Sequence, residues 1–120
     1  EIIYQKFFII QTMIADVKGT FGFQITDRDV AWLEEKIDGF ERQLRPLKQF
    51  IYYTGHKLAN LSQRIRVKIR AVERYLVEMN EKESIDPFLL SYVNRCSDYF
   101  YCWARYLNKR YGYEEKQIKL

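Results

Sequence analysis

Cysteine, histidine, proline and glycine are all scarce in this 120-residue chain, which holds two, one, two and five of them respectively. Cys96 and Cys102 stand six residues apart on what reads as one helix, so they face different directions and cannot bridge. With no third cysteine, a disulfide framework within the chain is excluded, and free thiols fit a reducing compartment. The lone histidine, His56, has no second histidine or cysteine near it; it is a poor metal site and reads as an exposed loop residue. The few glycines form no phosphate-cradling loop, and neither a G-x-S-x-G elbow nor an H-E-x-x-H zinc motif occurs. No uninterrupted apolar run reaches about 18 residues, so no membrane span is expected. The opening segment is amphipathic and not the basic-then-apolar pattern of a secretory leader, so the expected location is cytoplasmic. An excess of one charge is missing too: 20 basic residues face 16 acidic ones, for a net charge of +4. Most of these charges alternate in sign, as on solvated helix faces. The basic stripe of a nucleic-acid binder could lie only between Arg64 and Arg74. Neither nucleic acid nor a membrane is expected as a partner.

What the chain does contain is apolar periodicity. It is 48% hydrophobic and 17% aromatic, enough for one domain with a core. At this size roughly a third of the unfolded chain's surface stays exposed, leaving apolar area for partners. Four segments repeat at helical steps and none alternates like a strand. The first, 1–18, carries Ile3, Phe7, Ile10, Ile14 and Val17, with Phe8, Ile9 and Met13 widening its apolar surface. Gly19 is its expected stop. The second, 27–44, opens on Thr26 and Asp29, a capping box with Asp in place of Glu. Its stripe is Val30, Leu33, Ile37, Phe40 and Leu44, and Pro46 closes it. The third, 56–81, has an expected stripe of Leu58, Leu61, Ile65, Ile69, Val72, Leu76 and Met79. The fourth, 87–110, starts at Asp86-Pro87, an N-cap followed by proline at the first helical position. Its seam of Leu89, Val93, Cys96, Phe100, Trp103 and Leu107 steps by four and three, as in antiparallel bundle packing. A polar tail, 111–120, follows. The predicted fold is a single all-α, antiparallel helix-bundle domain spanning 1–120.

Two polar stripes border these seams. The third helix carries Arg66, Arg70, Glu73 and Arg74 within about a quarter of its circumference. The fourth carries Asn94, Asp98, Tyr101 and Arg105. Two readings stand side by side. One is a set of intrahelical ion pairs, Arg70 with Glu73 and Asp98 with Arg105, each contributing well under ~1 kcal/mol. The other is an anion site, in which arginines one turn apart grip a polyphosphate while a carboxylate orients them.

Four stretches, in order, resemble the PduO-type ATP:cob(I)alamin adenosyltransferases: ITDRDVAWLEEKID, RPLKQFIYYTGHKLA, RVKIRAVER and YVNRCSDYFYCWARYLN. The third is similar to that family's R-x-x-x-R-x-x-E-R helix and the fourth to its N-R-x-S-D-Y helix. Arg70 and Asn94 lie 24 residues apart, which matches the family spacing without a gap. The resemblance implies a five-helix, ferritin-like bundle, of which four helices fall in this sequence, assembled as a homotrimer with sites between subunits. It implies transfer of the adenosyl group of ATP to the cobalt of cob(I)alamin, giving adenosylcobalamin and triphosphate, with Mg2+ at the phosphates. By position, Arg66, Arg70 and Glu73 become the catalytic set. Arg70, Asn94, Arg66 and Asp98 become ATP-binding, and Phe50 becomes a wall for the lower face of the corrin. No residue is assigned to the metal. The family's T-x-x-G-D-x-G segment does not occur in these 120 residues, so the alternative reading is a non-catalytic helical binding or assembly module related to the family.

Overall fold

A computed structural model describes residues 25–46, 51 and 54–115. Within them lie three α-helices: α1 (Asp27–Glu41), α2 (Lys57–Lys82) and α3 (Pro87–Arg110). The expected first helix, Phe50 and the end of the tail lie outside the described residues. The described part is all-helical, as the periodicity predicts.

Local chemistry places the helix ends. At the start of α1 the Asp29 carboxylate accepts from the Thr26 amide at 2.9 Å, so the Asp form of the capping box does form. The helix stops at Glu41, three residues short of the expected end. The amides of Gln43 and Leu44 turn instead to the carbonyls of Phe40 and Glu41, at 2.9 and 3.1 Å. These i to i−3 bonds tighten the last turn before Pro46. At α3, Asp86 Oδ1 accepts from the Phe88 amide at 2.9 Å, with Pro87 just inside the helix.

His56 departs from the loop role expected of it. It is the N-cap of α2, and its Nδ1 accepts from the Leu58 amide at 3.1 Å. Its ring stacks on Tyr111 with centroids 4.0 Å apart. A histidine rarely serves as a cap; here the stacked tyrosine from the far end of α3 holds the imidazole in place.

α3 is the central element. α2 packs along it after a four-residue connection, and α1 packs against it as well. The core joins Leu33 of α1, Ile69 and Leu76 of α2, and Leu89, Tyr92, Val93, Cys96 and Phe100 of α3. The expected α3 seam is therefore buried, with Trp103 only partly so.

The expected α2 stripe needs correction. Leu58, Leu61 and Val72 are exposed, Leu61 at 49%. Ile69 and Leu76 are buried as expected, and Ile65 and Met79 pack against the core; in the first two turns burial moves by about one residue, or 100°, to Ala59, Ser62 and Gln63. Small side chains explain the turn. Ala59 meets Ala104 and Leu107, and the Ser62 hydroxyl donates to the Phe100 carbonyl at 2.8 Å. Two helices approach most closely where their facing residues are small, and that contact sets the face that the first turns of α2 bury.

Candidate functional site

The packing of α2 on α3 brings Glu73 of one polar stripe to Asn94 of the other. Glu73 and Asn94, 21 residues apart in sequence, meet through a 2.6 Å hydrogen bond from Asn94 Nδ2 to Glu73 Oε2. Both side chains are half-buried. They line a cleft of about 440 Å³ together with Val30 and Glu34 of α1 and Leu90 and Arg95 of α3. All three helices contribute to it.

The remaining expected residues fall into two groups. Asp98 joins the cluster indirectly: it pairs with Arg95 at 3.1 Å, and Arg95 Nη2 donates to Asn94 Oδ1 at 2.5 Å. Arg66, one turn before Arg70, lies with its guanidinium carbon 5.0 Å from the centre of the Tyr101 ring. That stacking holds it against α3 and adds about 0.5–1 kcal/mol. Arg70 itself is exposed. The intrahelical ladder does not form among the described residues: Glu73 pairs across helices with Asn94, and Arg105 pairs with Glu115 at 2.6 Å.

Arg95 was not among the residues singled out from the sequence. Its i, i+3 spacing to Asp98 was the available signal, but the same spacing occurs in many surface pairs. Arg105 and Glu115 form a second polar centre at the other end of α3. The side chains are 7% and 10% exposed, and Arg105 Nη2 also donates to the Arg45 carbonyl at 2.8 Å. Lys109 donates to the Gln43 carbonyl nearby. This end of α3 therefore ties down both the segment after α1 and the segment after α3.

Between the two centres lies the buried core. Burial pushes the Cys96 thiol up to about 12, against a lowering contribution from Tyr92. Burial, helped by Glu41, pushes Cys102 up to about 11. Burial also raises the Tyr92 hydroxyl well above its ordinary range, reinforced by Cys96. All three stay protonated at neutral pH, so none is an activated nucleophile. Among the described residues no three His, Cys, Asp or Glu side chains converge on a common point. The described residues thus hold no all-protein site of three such ligands for a metal ion. No described helix is long and apolar enough to cross a membrane.

Comparison with known proteins reaches the same place as the motifs. The family profile for cobalamin adenosyltransferase matches residues 1–107. The corrinoid adenosyltransferase of Bacillus subtilis (strain 168) is 38% identical over 90 residues, which is 75% of this chain and 47% of that protein. Corrinoid adenosyltransferase MMAB of Homo sapiens is 34% identical over 84 residues, 70% of this chain and 34% of that protein. The chain thus spans less than half the length of these curated relatives. Among solved structures, a phenylalanine-to-alanine variant of the PduO-type ATP:corrinoid adenosyltransferase from Lactobacillus reuteri, complexed with cobalamin and ATP, superposes with a TM-score of 0.88 at 30% identity. It covers 98% of this chain and 67% of that one. With its two motif helices in contact and a family profile running over most of its length, the chain belongs to the cobalamin adenosyltransferase family.

Proposed function

We propose that this chain takes part in transfer of the adenosyl group of ATP to the cobalt of cob(I)alamin. In that reaction the cobalt's electron pair forms the new bond to the 5′ carbon, and the carbon–oxygen bond breaks with its pair leaving on triphosphate. The observation that carries the reading is the Glu73–Asn94 bond at 2.6 Å. It seats the two motif helices against each other at a cleft, and their similarity to ATP- and corrinoid-handling relatives supplies the substrate class.

The chain's own residues would divide the work as follows. Arg70, exposed within the polar stripe, meets phosphate oxygens, where a guanidinium offers paired donors. Arg66, held against Tyr101, presents a second cation one turn away. Glu73 accepts from Asn94 and steadies it, Asn94 contacts the nucleotide, and Asp98 completes the polar wall. Phe50 is proposed to shield the lower corrin face, where exclusion of water and of an axial ligand leaves cobalt more nucleophilic. Mg2+ in this reading is carried by the triphosphate oxygens, and no step is routed through it.

The exposed apolar residues of α2, among them Leu58, Leu61, Val72 and Tyr75, support burial against further copies of the chain in a homotrimer. The two buried free thiols suit a reducing, cytoplasmic setting.

The test is loss of cob(I)alamin absorbance on adding ATP to the full chain, beside calorimetric titration with ATP. Turnover with ATP binding is expected. ATP binding without turnover would support the non-catalytic module, and no ATP binding by a folded trimer would overturn the reading.

A further inference from the structure

Asn94 lies between a group that only accepts hydrogen bonds and a group that only donates them. Glu73 Oε2 accepts a hydrogen bond from Asn94 Nδ2 at 2.6 Å. On the other side, Arg95 Nε and Nη2 converge on Asn94 Oδ1 at 3.2 and 2.5 Å. An ionised carboxylate has no proton to give and a guanidinium has no lone pair to offer. Turning the amide over would therefore set oxygen against oxygen at Glu73 and N–H against N–H at Arg95. The orientation of an asparagine amide follows from its hydrogen-bond partners, and both partners select the same one. Here one orientation is selected, leaving one Nδ2 proton uncommitted beside the cleft.

Arg95 is in turn held by Asp98 at 3.1 Å. The two side chains are 38% and 46% exposed, and an ion pair this open to water contributes little to folding. Its consequence is geometric: Asp98 fixes Arg95, Arg95 fixes the Asn94 carbonyl, and Glu73 fixes the Asn94 amino group.

We infer that Arg95 is a positioning residue that locks the Asn94 amide with its free N–H turned to a nucleotide oxygen, and that Asp98 acts through Arg95 and not on the nucleotide directly. The nucleotide part of this inference rests on the adenosyl-transfer reading above. The Arg95–Asn94 coupling stands on the side-chain geometry alone.

The experiment separates the two. In the ligand-free full chain, the side-chain amide protons of Asn94 are assigned by NMR from the signals lost in Asn94→Ala. Arg95→Met, which keeps the length of the side chain and removes every donor, should shift that pair and speed its exchange with water, while Arg95→Lys should retain part of the protection. ATP affinity is then measured in both backgrounds. Arg95→Met should weaken ATP binding about tenfold when Asn94 is present, the loss of one charge-assisted contact. It should have less than about a twofold effect in Asn94→Ala, the non-additivity that coupled residues show. Unchanged Asn94 amide signals in a folded Arg95→Met variant would overturn the inference. Equal losses of affinity in both backgrounds would do the same, because Arg95 would then touch the nucleotide itself. If the parent chain binds no ATP while Arg95→Met still releases the Asn94 amide, the substrate reading falls and the coupling remains.

Discussion

Asn108 on α3 clamps the peptide units on both sides of Gly55: its Nδ2 donates to the Thr54 carbonyl and its Oδ1 accepts from the His56 amide, each at 2.9 Å. Gly55 has φ +122°, and a Cβ placed on it would lie 2.2 Å from Asn108 Oδ1. The clamp sets the path of the chain into α2, directly before the His56 cap.

Gly55→Ala should therefore destabilise the protein by about 3 kcal/mol or more, combining a backbone conformation hostile to L side chains with a collision. Asn108→Ala should cost about 1–3 kcal/mol, because it leaves the Thr54 and His56 groups without partners. Urea melts of the single and double variants check this. The double variant should be less destabilised than the sum, since removing Asn108 relieves the collision but not the strain. Strict additivity would argue against the clamp.

The Arg105–Glu115 pair predicts behaviour at the opposite extreme from a surface ion pair. Its side chains are 7% and 10% exposed, so removing one partner leaves the other buried and uncompensated. Glu115→Ala should destabilise by about 3 kcal/mol, with little relief from added salt, and should open the segment after α3 to carboxypeptidase. A loss under about 0.5 kcal/mol, as for an exposed pair, would show that the segment is not held this way.

Alkaline pH should weaken the fold. The Cys96 thiol rises from its ordinary 9.0 to about 12 and Cys102 to about 11 through burial, and burial raises Tyr92 and Tyr99 as well. Between 9.0 and these folded values the unfolded chain has lost protons that the folded chain keeps. The unfolded state then binds fewer protons, so unfolding free energy falls as pH rises, by about 1.4 kcal/mol per pH unit for each group fully within its window. Below 9.0 these groups are protonated in both states and stability should not depend on them. Urea midpoints across this range check the slope, and Cys96→Ala should make it shallower. Rapid alkylation of Cys96 in the native protein at neutral pH would contradict its burial.

Arg70 and Arg66 should separate stability from binding. Arg70 is exposed, so Arg70→Ala should leave the melt unchanged. It should weaken ATP binding roughly 10- to 100-fold if its charge-assisted contacts form. Arg66→Ala should additionally lower stability by about 0.5–1 kcal/mol, through loss of its contact with Tyr101. Calorimetric titration showing unchanged ATP affinity for Arg70→Ala would remove Arg70 from the site.

Assembly gives a further check on the apolar face of α2. Leu61 is 49% exposed, and Leu61→Asp should convert the proposed trimer to smaller species without lowering helix content. A parent chain that sediments as a monomer at micromolar concentration would dispose of the proposed interface.

Much of this protein could be read before its structure was known. The start of α1 at Thr26 and Asp29, and the start of α3 at Asp86 and Pro87, are decided by bonds that reach two or three residues along the chain. Local sequence therefore contains everything they need. The α3 seam is equally local in origin, because its large apolar residues at steps of four and three leave one face to bury. The four motif stretches led to the family in the same way. On α2 the sequence showed Ile69 and Leu76 but not the buried face of the first turns, because Leu58 and Leu61 outweigh Ala59 and Ser62 in apolar area while fitting α3 less closely. Shape complementarity between two helices belongs to the pair and cannot be read from either one. Packing likewise decides that Glu73 meets Asn94 and not Arg70, and that Arg105 reaches Glu115, while Arg95 holds the amide of its neighbour on the same helix. Each of these contacts joins groups whose sequence spacing allows several partners, and only packing removes the others.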